Sequence, residues 1–309
     1  MDINKKQIYL FIIVVLLVAS FGYTFTKISP GKTADIKKVE ESQTATKTIS
    51  IGTIGDNAFK EIILFQPTVD YIAAQLSDNQ TKYKGKVIIA KNIDNISYML
   101  REQKLDLYVD SPFPTIIVAR KSNSIPFLRR WKNGVAEYHT VFFVKKSSSI
   151  YSIDDFDGKT IVSEDPASTT SYLMPMAYLI HRGFNINQSQ KNSIRFVFSG
   201  GEENSPLWIL EGKADVGAMN NVEFENIPDA IKSQLKIIDR TVDVPRHIVS
   251  HRSDMGPAKV DKIRKILMDM DKETEGIEIL KNFDGTKKFD MISMDDINNT
   301  EKMVDILGY

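Results

Sequence analysis

The fold is organised around one stretch of sequence, which reads Ser163-Glu164-Asp165-Pro166-Ala167-Ser168-Thr169-Thr170-Ser171-Tyr172. A β-rich run from Lys159 to Val162 precedes it, and an apolar helical segment that closes on His181-Arg182-Gly183 follows it. The pattern predicts a strand, a polar turn and the start of a helix. Unpaired backbone N–H groups at a helix start carry the positive end of the helix dipole, and hydroxyl groups add further donors. The stretch therefore predicts an anion-binding loop.

Helix capping is the competing interpretation of the same hydroxyl residues, because Ser and Thr are favoured at helix N-caps. One cap requires one hydroxyl group, whereas the segment from Ser168 to Ser171 supplies four in succession. The excess favours a bound ligand over a purely structural role.

The composition excludes several classes of function. The chain has 309 residues, of which 42% are hydrophobic and 26% charged, as in ordinary soluble domains. Forty basic residues balance forty acidic ones, and no basic run is interleaved with aromatic residues, so no nucleic-acid partner is expected. Cysteine is absent, which excludes disulfides, thiolate metal sites and cysteine nucleophiles.

The N-terminus carries an export signal. Lys5-Lys6 precede an uncharged run from Gln7 to Thr26, so residues 1–26 are interpreted as a signal peptide or a membrane anchor. Small residues at Val18-Ala19-Ser20 suit cleavage, but about 20 uncharged residues are also enough to span a bilayer uncleaved. Both alternatives place the remainder outside the cytoplasm, in the second case tethered to the membrane. The polar residues 27–47 are predicted to form a linker.

The folded part opens with an alternation of strands and helices, which predicts a parallel α/β lobe. Its predicted strands are 48–55, 86–90 and 105–109, with helical patterns between them. In the first helical pattern, Gln66-Pro67 is predicted to start a fresh turn, with the proline at the first helical position. Ligands in such sheets bind beyond the carboxyl ends of the strands. The residues at those ends, expected to form one wall of a cleft, are Thr53, Tyr108, Asp110 and Phe113. For Asp110, turn chemistry before Pro112 is an equally good interpretation.

A second α/β unit begins near Val144, and the chain returns to the first unit near 240–250. The predicted architecture is a two-lobed α/β protein with lobe 1 at 48–140, lobe 2 at 141–244 and a return segment of lobe 1 at 245–309. Ligand binding is expected to close the lobes about hinge strands near Val141 and Val249. The protein is expected to be a monomer.

Several motifs together resemble one family, the periplasmic substrate-binding proteins of phosphate, phosphite and phosphonate ABC importers. The motifs keep their order over Thr48 to Asp290, and they are Phe65-Gln66-Pro67-Thr68-Val69-Asp70-Tyr71-Ile72, residues 150–159, the loop 165–172 with Pro175, and Gly212-Lys213-Ala214-Asp215-Val216 with Asn220-Asn221. The resemblance implies a clamshell of the type II periplasmic-binding-protein fold, which closes on a small oxyanion and delivers it to a membrane permease.

The resemblance also implies roles for individual residues. Ser168, Thr169 and Thr170 would bind phosphonate-type oxygens, and Tyr108 or Phe113 would form an aromatic wall in the first lobe. Glu223 would face an amine of the ligand. The complete set of expected pocket residues is Thr53, Tyr108, Asp110, Phe113, Tyr138, Ser168, Thr169, Thr170, Tyr172, Glu202, Asn220, Glu223 and Arg246.

Two positions depart from the family pattern. In Gly200-Gly201-Glu202-Glu203, Glu202 stands where the family usually has a His, and Arg246 stands where aminoalkyl-phosphonate binders have an acid. A carboxylate disfavours a dianion at close range, whereas an arginine fork favours an acidic oxygen. The ligand is therefore expected to be phosphonate- or phosphite-like, with a zwitterionic or substituted ligand as the alternative. For each residue, a solvated surface charge is the competing interpretation.

Enzymatic function is the weakest alternative. His247 and His251 lie four residues apart in a run predicted to be extended, which separates them by about 13 Å. The hydroxyl-rich loop lacks a Gly-x-Ser-x-Gly motif, and no Walker phosphate loop occurs. No catalytic residue, metal site or cofactor is expected. A ligand-sensing accessory protein with the same fold, acting on a separate membrane partner, ranks between the transport and enzyme hypotheses.

Overall fold

The computed structural model describes residues 45–186 and 192–309. The predicted signal or anchor at 1–26 lies outside the described residues, as does the predicted linker up to residue 44. Residues 45–47, predicted as the end of the linker, instead begin the first strand, because its pairing extends to Ala45. Within the described ranges, none of the helices combines the length and the apolar character needed to cross a bilayer.

The strands alternate with helices along most of the chain. The strands are β1 (Ala45–Ile54), β2 (Thr81–Ala90), β3 (Leu107–Asp110), β4 (Ile125–Arg130), β5 (Glu137–Tyr138), β6 (Thr140–Lys145), β7 (Thr160–Ser163), β8 (Arg195–Phe198), β9 (Val216–Asn220), β10 (Leu235–Arg240), β11 (Val244–Pro245), β12 (His247–His251) and β13 (Phe289–Met291). The α-helices are α1 (Ala58–Leu76), α2 (Ile93–Arg101), α3 (Pro112–Ser122), α4 (Met174–His181), α5 (Asn204–Leu210), α6 (Asn221–Glu225), α7 (Asp229–Lys232), α8 (Pro257–Asp269), α9 (Thr274–Asn282) and α10 (Met294–Ile306).

Two large sheets carry the fold. The first has the order β13-β4-β12-β3-β1-β2, with β2, β1 and β3 parallel and β12 antiparallel to both of its neighbours. The second has the order β10-β6-β9-β7-β8, with β9, β7 and β8 parallel. The predicted succession of strand, helix, strand, helix and strand at the start of the folded part is confirmed by β1, α1, β2, α2 and β3.

Helix α1 shows how the sequence produces the local structure. The Asn57 side chain caps its start by accepting from the backbone N–H of Lys60. Its buried face continues on both sides of Pro67, where the sequence predicted a new helix start. That prediction is wrong: a single helix runs through the proline, because Phe65 and Val69 bury the same face against the first sheet.

Separate apolar cores cover the two sheets. Helices α1, α8 and α9 pack on the first sheet. The second sheet has apolar clusters on both sides, one around Phe142 and Phe156 and another around Phe143 and Phe224. A further cluster joins α3, β5 and α4 to the C-terminal helix α10 through Val304. Helix α10 therefore packs against α3 and β5, which follow strands of the first sheet, and against α4, which follows a strand of the second sheet.

The chain passes between the two sheets through a small two-stranded ladder of β5 and β11. Tyr138 pairs with Val244 and Glu137 with Pro245. Strand β5 leads from β4 to β6, and β11 leads from β10 to β12, so both passages lie side by side. The predicted hinge positions need correction: Val141 and Val249 lie inside the large sheets, where pairing on both sides fixes their backbone.

Candidate functional site

A cavity of about 750 Å³ lies where strands of both sheets end. Ile54 and Asp110 line it from the ends of β1 and β3, and Asn220 lines it from the end of β9. The loop after β7 contributes Glu164 to Thr170. The position matches the general rule that ligands of α/β sheets bind beyond the carboxyl ends of the strands.

Arg246 is the most unusual group on the cavity wall. It directly follows β11, is 8% exposed, and stacks its guanidinium 4.4 Å from the ring centroid of Tyr138. Its Nε atom is buried and has no hydrogen-bond partner. Among the described residues, ion pairs join other arginines such as Arg129 and Arg130 to carboxylates, but none joins Arg246. Since a buried, unpaired charge is costly, the arrangement favours an anion bound beside Arg246.

Tyr138 supplies the aromatic surface beneath Arg246. Its ring is almost fully buried, and burial raises the pKa of its hydroxyl to about 12, although the charge of Arg246 and a hydrogen bond from it act in the opposite direction. The phenol therefore stays protonated at physiological pH. It is a neutral hydrogen-bonding group beside a cation.

Lys132 adds a second positive charge to this wall. It lies in the short 3₁₀ turn Lys132–Gly134 after β4, and its Nζ is 3.4 Å from Asp284. Desolvation lowers its pKa, an effect that Asp284 partly offsets.

Burial also holds the pKa of His247 well below its usual value, and the charges of Lys132, Arg130 and Arg246 add to the effect. The histidine is therefore neutral beside three cations.

Arg130 lies behind the same wall without reaching the cavity. It is fully buried, stacks 3.4 Å from the ring centroid of Phe283, and donates to Thr286 Oγ1 at 2.8 Å and to the Phe283 carbonyl at 2.7 Å. Its Nη2 also donates to Asp284 at 3.1 Å. Burial lowers its pKa to about 10, so the guanidinium remains charged at neutral pH. The Nε and Nη2 groups of this cation are therefore both paired within the protein.

The hydroxyl-rich loop faces Arg246 from the second sheet. Ser168 caps a π-helical turn, Thr169–Leu173, which continues directly into α4. The Ser168 side chain accepts from the Ser171 N–H at 3.3 Å, and Thr169 Oγ1 donates to Ser111 Oγ at 3.0 Å. Ser168 therefore both caps the turn and lines the cavity. Ser171 does not line the cavity, because its Oγ accepts from the backbone N–H of Glu164.

Asp110 is a carboxylate whose oxygens are already occupied. The Ser111 N–H and hydroxyl donate to Oδ1 at 2.7 and 3.3 Å, and Tyr108 OH donates to Oδ2 at 3.0 Å. Thr53 Oγ1 and the Ile54 N–H also donate to Oδ2, each at 3.4 Å. Burial raises its pKa, and these donors act in the opposite direction. In this structure the Asp110 side chain therefore binds donors of its own turn and of the neighbouring strand β1, which fits the interpretation as a turn residue before Pro112.

Glu202 is a carboxylate with few partners. It follows β8, and its Oε1 accepts from Asn220 Nδ2 at 2.7 Å. Burial raises its pKa to about 7, the charges of Glu164 and Glu223 add to the rise, and Asn220 and Arg246 oppose it. Glu164 lines the same region, and burial raises its pKa as well. One side of the cavity is therefore acidic.

The family model for the periplasmic phosphonate substrate-binding proteins of ABC transporters matches residues 60–297. The chain belongs to this family.

Three known proteins are similar to this chain at identities of 21–22%. The phosphate-import protein PhnD of Mycolicibacterium smegmatis is 22% identical over 201 residues, which cover 62% of this chain and 63% of that protein, slightly less than two thirds of its length. The structure of PhnD1 from Prochlorococcus marinus in complex with methylphosphonate has a TM-score of 0.63 at 21% identity, and the match covers 85% of this chain and 98% of that one. The structure of XAC2383 from Xanthomonas citri bound to ATP has a TM-score of 0.74 at 22% identity, covering 84% and 97%. At these identities, the two structures show the fold alone, the mixed α/β fold of periplasmic binding proteins.

Eight of the thirteen expected pocket residues line the cavity. They are Asp110, Tyr138, Ser168, Thr169, Thr170, Glu202, Asn220 and Arg246. Thr53 and Tyr172 do not line the cavity. Thr53 donates a hydrogen bond to Asp110, and Tyr172 packs edge-on against Phe196 and Phe198. Glu223 does not line the cavity, but its backbone N–H is capped by Asn220 and its charge acts on Glu202.

The expected aromatic wall needs correction. Tyr108 and Phe113 are fully buried in the core and neither lines the cavity, because β3 and α3 point these side chains into apolar clusters. Among the described residues, the aromatic side chains that line the cavity are Tyr138 and Tyr309. The sequence analysis missed Ser111, Lys132 and Glu164, although the run Arg129-Arg130-Trp131-Lys132 was a visible concentration of positive charge.

His247 and His251 lie in strand β12, as the extended pattern predicted. Within the part of the chain that the structure describes, no group of three His, Cys, Asp or Glu residues is arranged to hold a metal ion.

Proposed function

We propose that this protein is the extracytoplasmic solute-binding component of an ABC importer, and that it captures a small phosphonate- or phosphite-like oxyanion in the cavity. The observation that carries the proposal is the buried guanidinium of Arg246, which lines the cavity without a carboxylate partner. A guanidinium presents parallel N–H donors to two oxygens of one oxyanion. The ligand supplies the missing countercharge.

The opposite wall completes the proposed binding site. Ser168, Thr169 and Thr170 line the cavity at the start of the helical segment that continues into α4. Hydroxyl groups and N-terminal amides of this segment donate to the remaining oxygens. Membership of the phosphonate-binding family and the methylphosphonate named for the Prochlorococcus relative support a phosphorus oxyanion as the ligand.

Ligand capture proceeds by closure of two lobes in this proposal. Lobe 1 comprises 48–140 with the return segment 245–309, and lobe 2 comprises 141–244. The β5–β11 ladder holds both passages between the large sheets, so it is the hinge. Closure brings Ser168 to Thr170 towards Arg246 around the oxyanion. A membrane permease then receives the ligand, and the protein acts as a monomer that is either free after signal cleavage or tethered by residues 1–26.

The proposal is tested by thermal unfolding of the full chain in mild detergent. Methylphosphonate, phosphite and phosphate are compared with sulfate, amino acids and small carboxylates at equal concentration. A true ligand at a hundredfold excess over its Kd stabilises the protein by about 2.7 kcal/mol, which gives a clear rise in Tm. A rise with at least one phosphorus oxyanion is expected. A rise with carboxylates or amino acids alone would overturn the proposal.

A further inference from the structure

The cavity is larger than an oxyanion group alone requires. Its volume of about 750 Å³ is within the range of sites that hold drug-sized organic molecules, roughly 300–1,000 Å³. Arg246 and the segment Ser168 to Thr170, which are proposed to hold the oxyanion, need to surround only a group a few atoms wide. The remaining space is available for a substituent on the ligand.

Aliphatic side chains form a second part of the cavity wall. Ile54 lies at the end of β1, Ile93 begins α2, Pro114 and Ile117 lie one turn apart on α3, and Leu173 precedes α4. Ile117 and Leu173 are 3% and 7% exposed, so they form the floor, whereas the other three are partly exposed. These five residues are called the apolar arm. Four of them belong to the first sheet and its helices, so closure of the proposed lobes does not change their spacing.

The apolar arm begins beside the groups that are proposed to hold the oxyanion. Ile117 and Leu173 pack in one cluster with Tyr138, and Ile93 packs against the same cluster. The ring of Tyr138 carries the guanidinium of Arg246 on its face. A ligand whose phosphorus group is bound at Arg246 can therefore place its substituent against the arm.

The outer end of the arm carries charges that are already neutralised. Lys121 lies one turn beyond Ile117 on α3, and its Nζ forms an ion pair at 2.7 Å with Asp94, the residue after Ile93. Lys91 also lines the cavity but is exposed, so water and salt screen its charge. A second ionised group on the ligand would lose hydration against aliphatic side chains without gaining an unpaired partner. The substituent that fits the arm is therefore uncharged.

The carboxylates that could bind an amine lie on the other sheet. Glu202 follows β8 and Glu164 follows β7, and both line the cavity. An amino substituent would turn towards these acids, whereas an apolar substituent would turn towards the first sheet. The two kinds of substituent therefore distinguish the two parts of the wall.

We infer that the ligand is an organophosphonate whose substituent is uncharged, apolar and about the size of a butyl or phenyl group, and that the apolar arm binds this substituent. Pro114 and Ile117 are separated by about 4.5 Å along the axis of α3, and Lys121 lies about 6 Å further on. An apolar group can thus extend about 5 to 10 Å before it reaches the ion pair. The inference rests on the proposed function and names the substrate class within it.

The test compares phosphonates that share one head group and differ only in the substituent. Methyl-, ethyl-, butyl-, phenyl- and 2-aminoethylphosphonate are titrated calorimetrically into the full chain in lipid nanodiscs, so that no detergent monomer competes for the arm. The same series is applied to Ile93→Thr, which keeps a β-branched side chain but places a hydroxyl group in the arm. Ile62→Thr is the matched control, because Ile62 is an exposed residue of α1 that does not line the cavity.

Affinity is expected to rise with the apolar size of the substituent. Each fully buried methylene group is worth about fourfold in affinity, so butylphosphonate, with its chain partly buried, should bind about tenfold more tightly than methylphosphonate. Its heat-capacity change on binding should also be more negative. Phenylphosphonate should bind at least as tightly as butylphosphonate, and 2-aminoethylphosphonate no more tightly than ethylphosphonate. In Ile93→Thr the preference for butyl over methyl should fall about threefold, whereas Ile62→Thr should keep it.

Three results would overturn the inference. In two of them, which need no variant to fold, butyl- and phenylphosphonate bind the unmodified chain no more tightly than methylphosphonate, or 2-aminoethylphosphonate binds more tightly than butylphosphonate. In the third, Ile93→Thr keeps the whole preference for butyl over methyl. In each case a phosphonate still binds and the proposed function stands, as it does if phosphite or phosphate binds and no phosphonate does. If no phosphorus oxyanion binds, the proposed function itself fails, and the inference fails with it.

Discussion

Asp110 and Glu202 are both acidic residues on the wall of the cavity, at the ends of different sheets. The oxygens of Asp110 accept from five donors on Thr53, Ile54, Tyr108 and Ser111. Glu202 accepts from Asn220 alone among the described residues. The first carboxylate holds strand ends together, whereas the second has an oxygen available for a ligand.

The same contrast separates two buried arginines. Arg130 bonds Thr286, the Phe283 carbonyl and Asp284, while the Nε of Arg246 has no partner. Buried polar groups are normally satisfied, so an unsatisfied one on a cavity wall points to a missing partner. The lesson is that the number of unused hydrogen bonds, rather than residue type, distinguishes binding groups from supporting ones.

The largest effect is expected for Arg130→Met. Removing one partner from a buried ion pair and hydrogen-bond network should lower the free energy of unfolding by about 3–5 kcal/mol. Urea denaturation measures it, with exposed Arg240→Met as the control. A loss below about 1 kcal/mol would show that the contrast between the two arginines is wrong.

Asp110→Asn should also act mainly on stability. An amide oxygen cannot accept all five donors and its NH₂ group meets other donors, so the loss should be about 2–3 kcal/mol. Urea denaturation of the ligand-free protein checks this value. The affinity for methylphosphonate should remain that of the unmodified chain. A changed affinity at unchanged stability would make Asp110 a ligand-contacting group.

Arg246→Met should show the opposite pattern. Loss of a charged hydrogen-bond donor should weaken oxyanion binding by about 1.5–3 kcal/mol, or roughly 10- to 150-fold in Kd. The ligand-free protein should keep or gain stability, because an unpaired buried charge is replaced by an apolar side chain. Titration calorimetry and urea denaturation of the same preparation separate the two. Strong destabilisation with unchanged affinity would place Arg246 with Arg130.

Ser168→Ala should have the smallest effect on stability. The side chain caps the turn at Thr169–Leu173 through Ser171 N–H, and loss of such a cap costs about 1 kcal/mol. Thr169→Val is the matched comparison, since Thr169 bonds Ser111 rather than capping. Both variants should weaken oxyanion binding if the loop contacts the ligand. Unchanged affinity in both would leave capping as the whole role of these hydroxyl groups.

Local sequence patterns were sufficient for much of the fold. The parallel strands β1, β2 and β3, the extended run of His247 to His251 and the helix after the hydroxyl-rich loop all follow from periodicity and turn residues. Pro67 misled the interpretation, because tertiary packing against the first sheet outweighs the single hydrogen bond lost within α1. The assignment of lobes to residue ranges stays a prediction.

Sequence reasoning predicted only part of the candidate site. A strand end predicts which residues lie near a cavity, but not which way each side chain points. Tyr108 and Phe113 were therefore expected on the wall and instead lie in the core. Lys132 reaches the wall from a short turn after β4, and the basic run at 129–132 does not indicate which of its side chains enters the cavity.

The sequence by itself determined the alternation of strands and helices, the hydroxyl-rich loop, the unusual Glu202 and Arg246, and membership of the phosphonate-binding family. These features depend on residue type and spacing along the chain. The tertiary structure decided which polar groups are already satisfied. Asp110 meets donors from β1 and β3 because these strands pair side by side. Arg246 is buried over Tyr138 without an acid because β11 pairs with β5, so in both places residues distant in sequence converge. Hydrogen-bond partners set by such convergence cannot be read from local spacing.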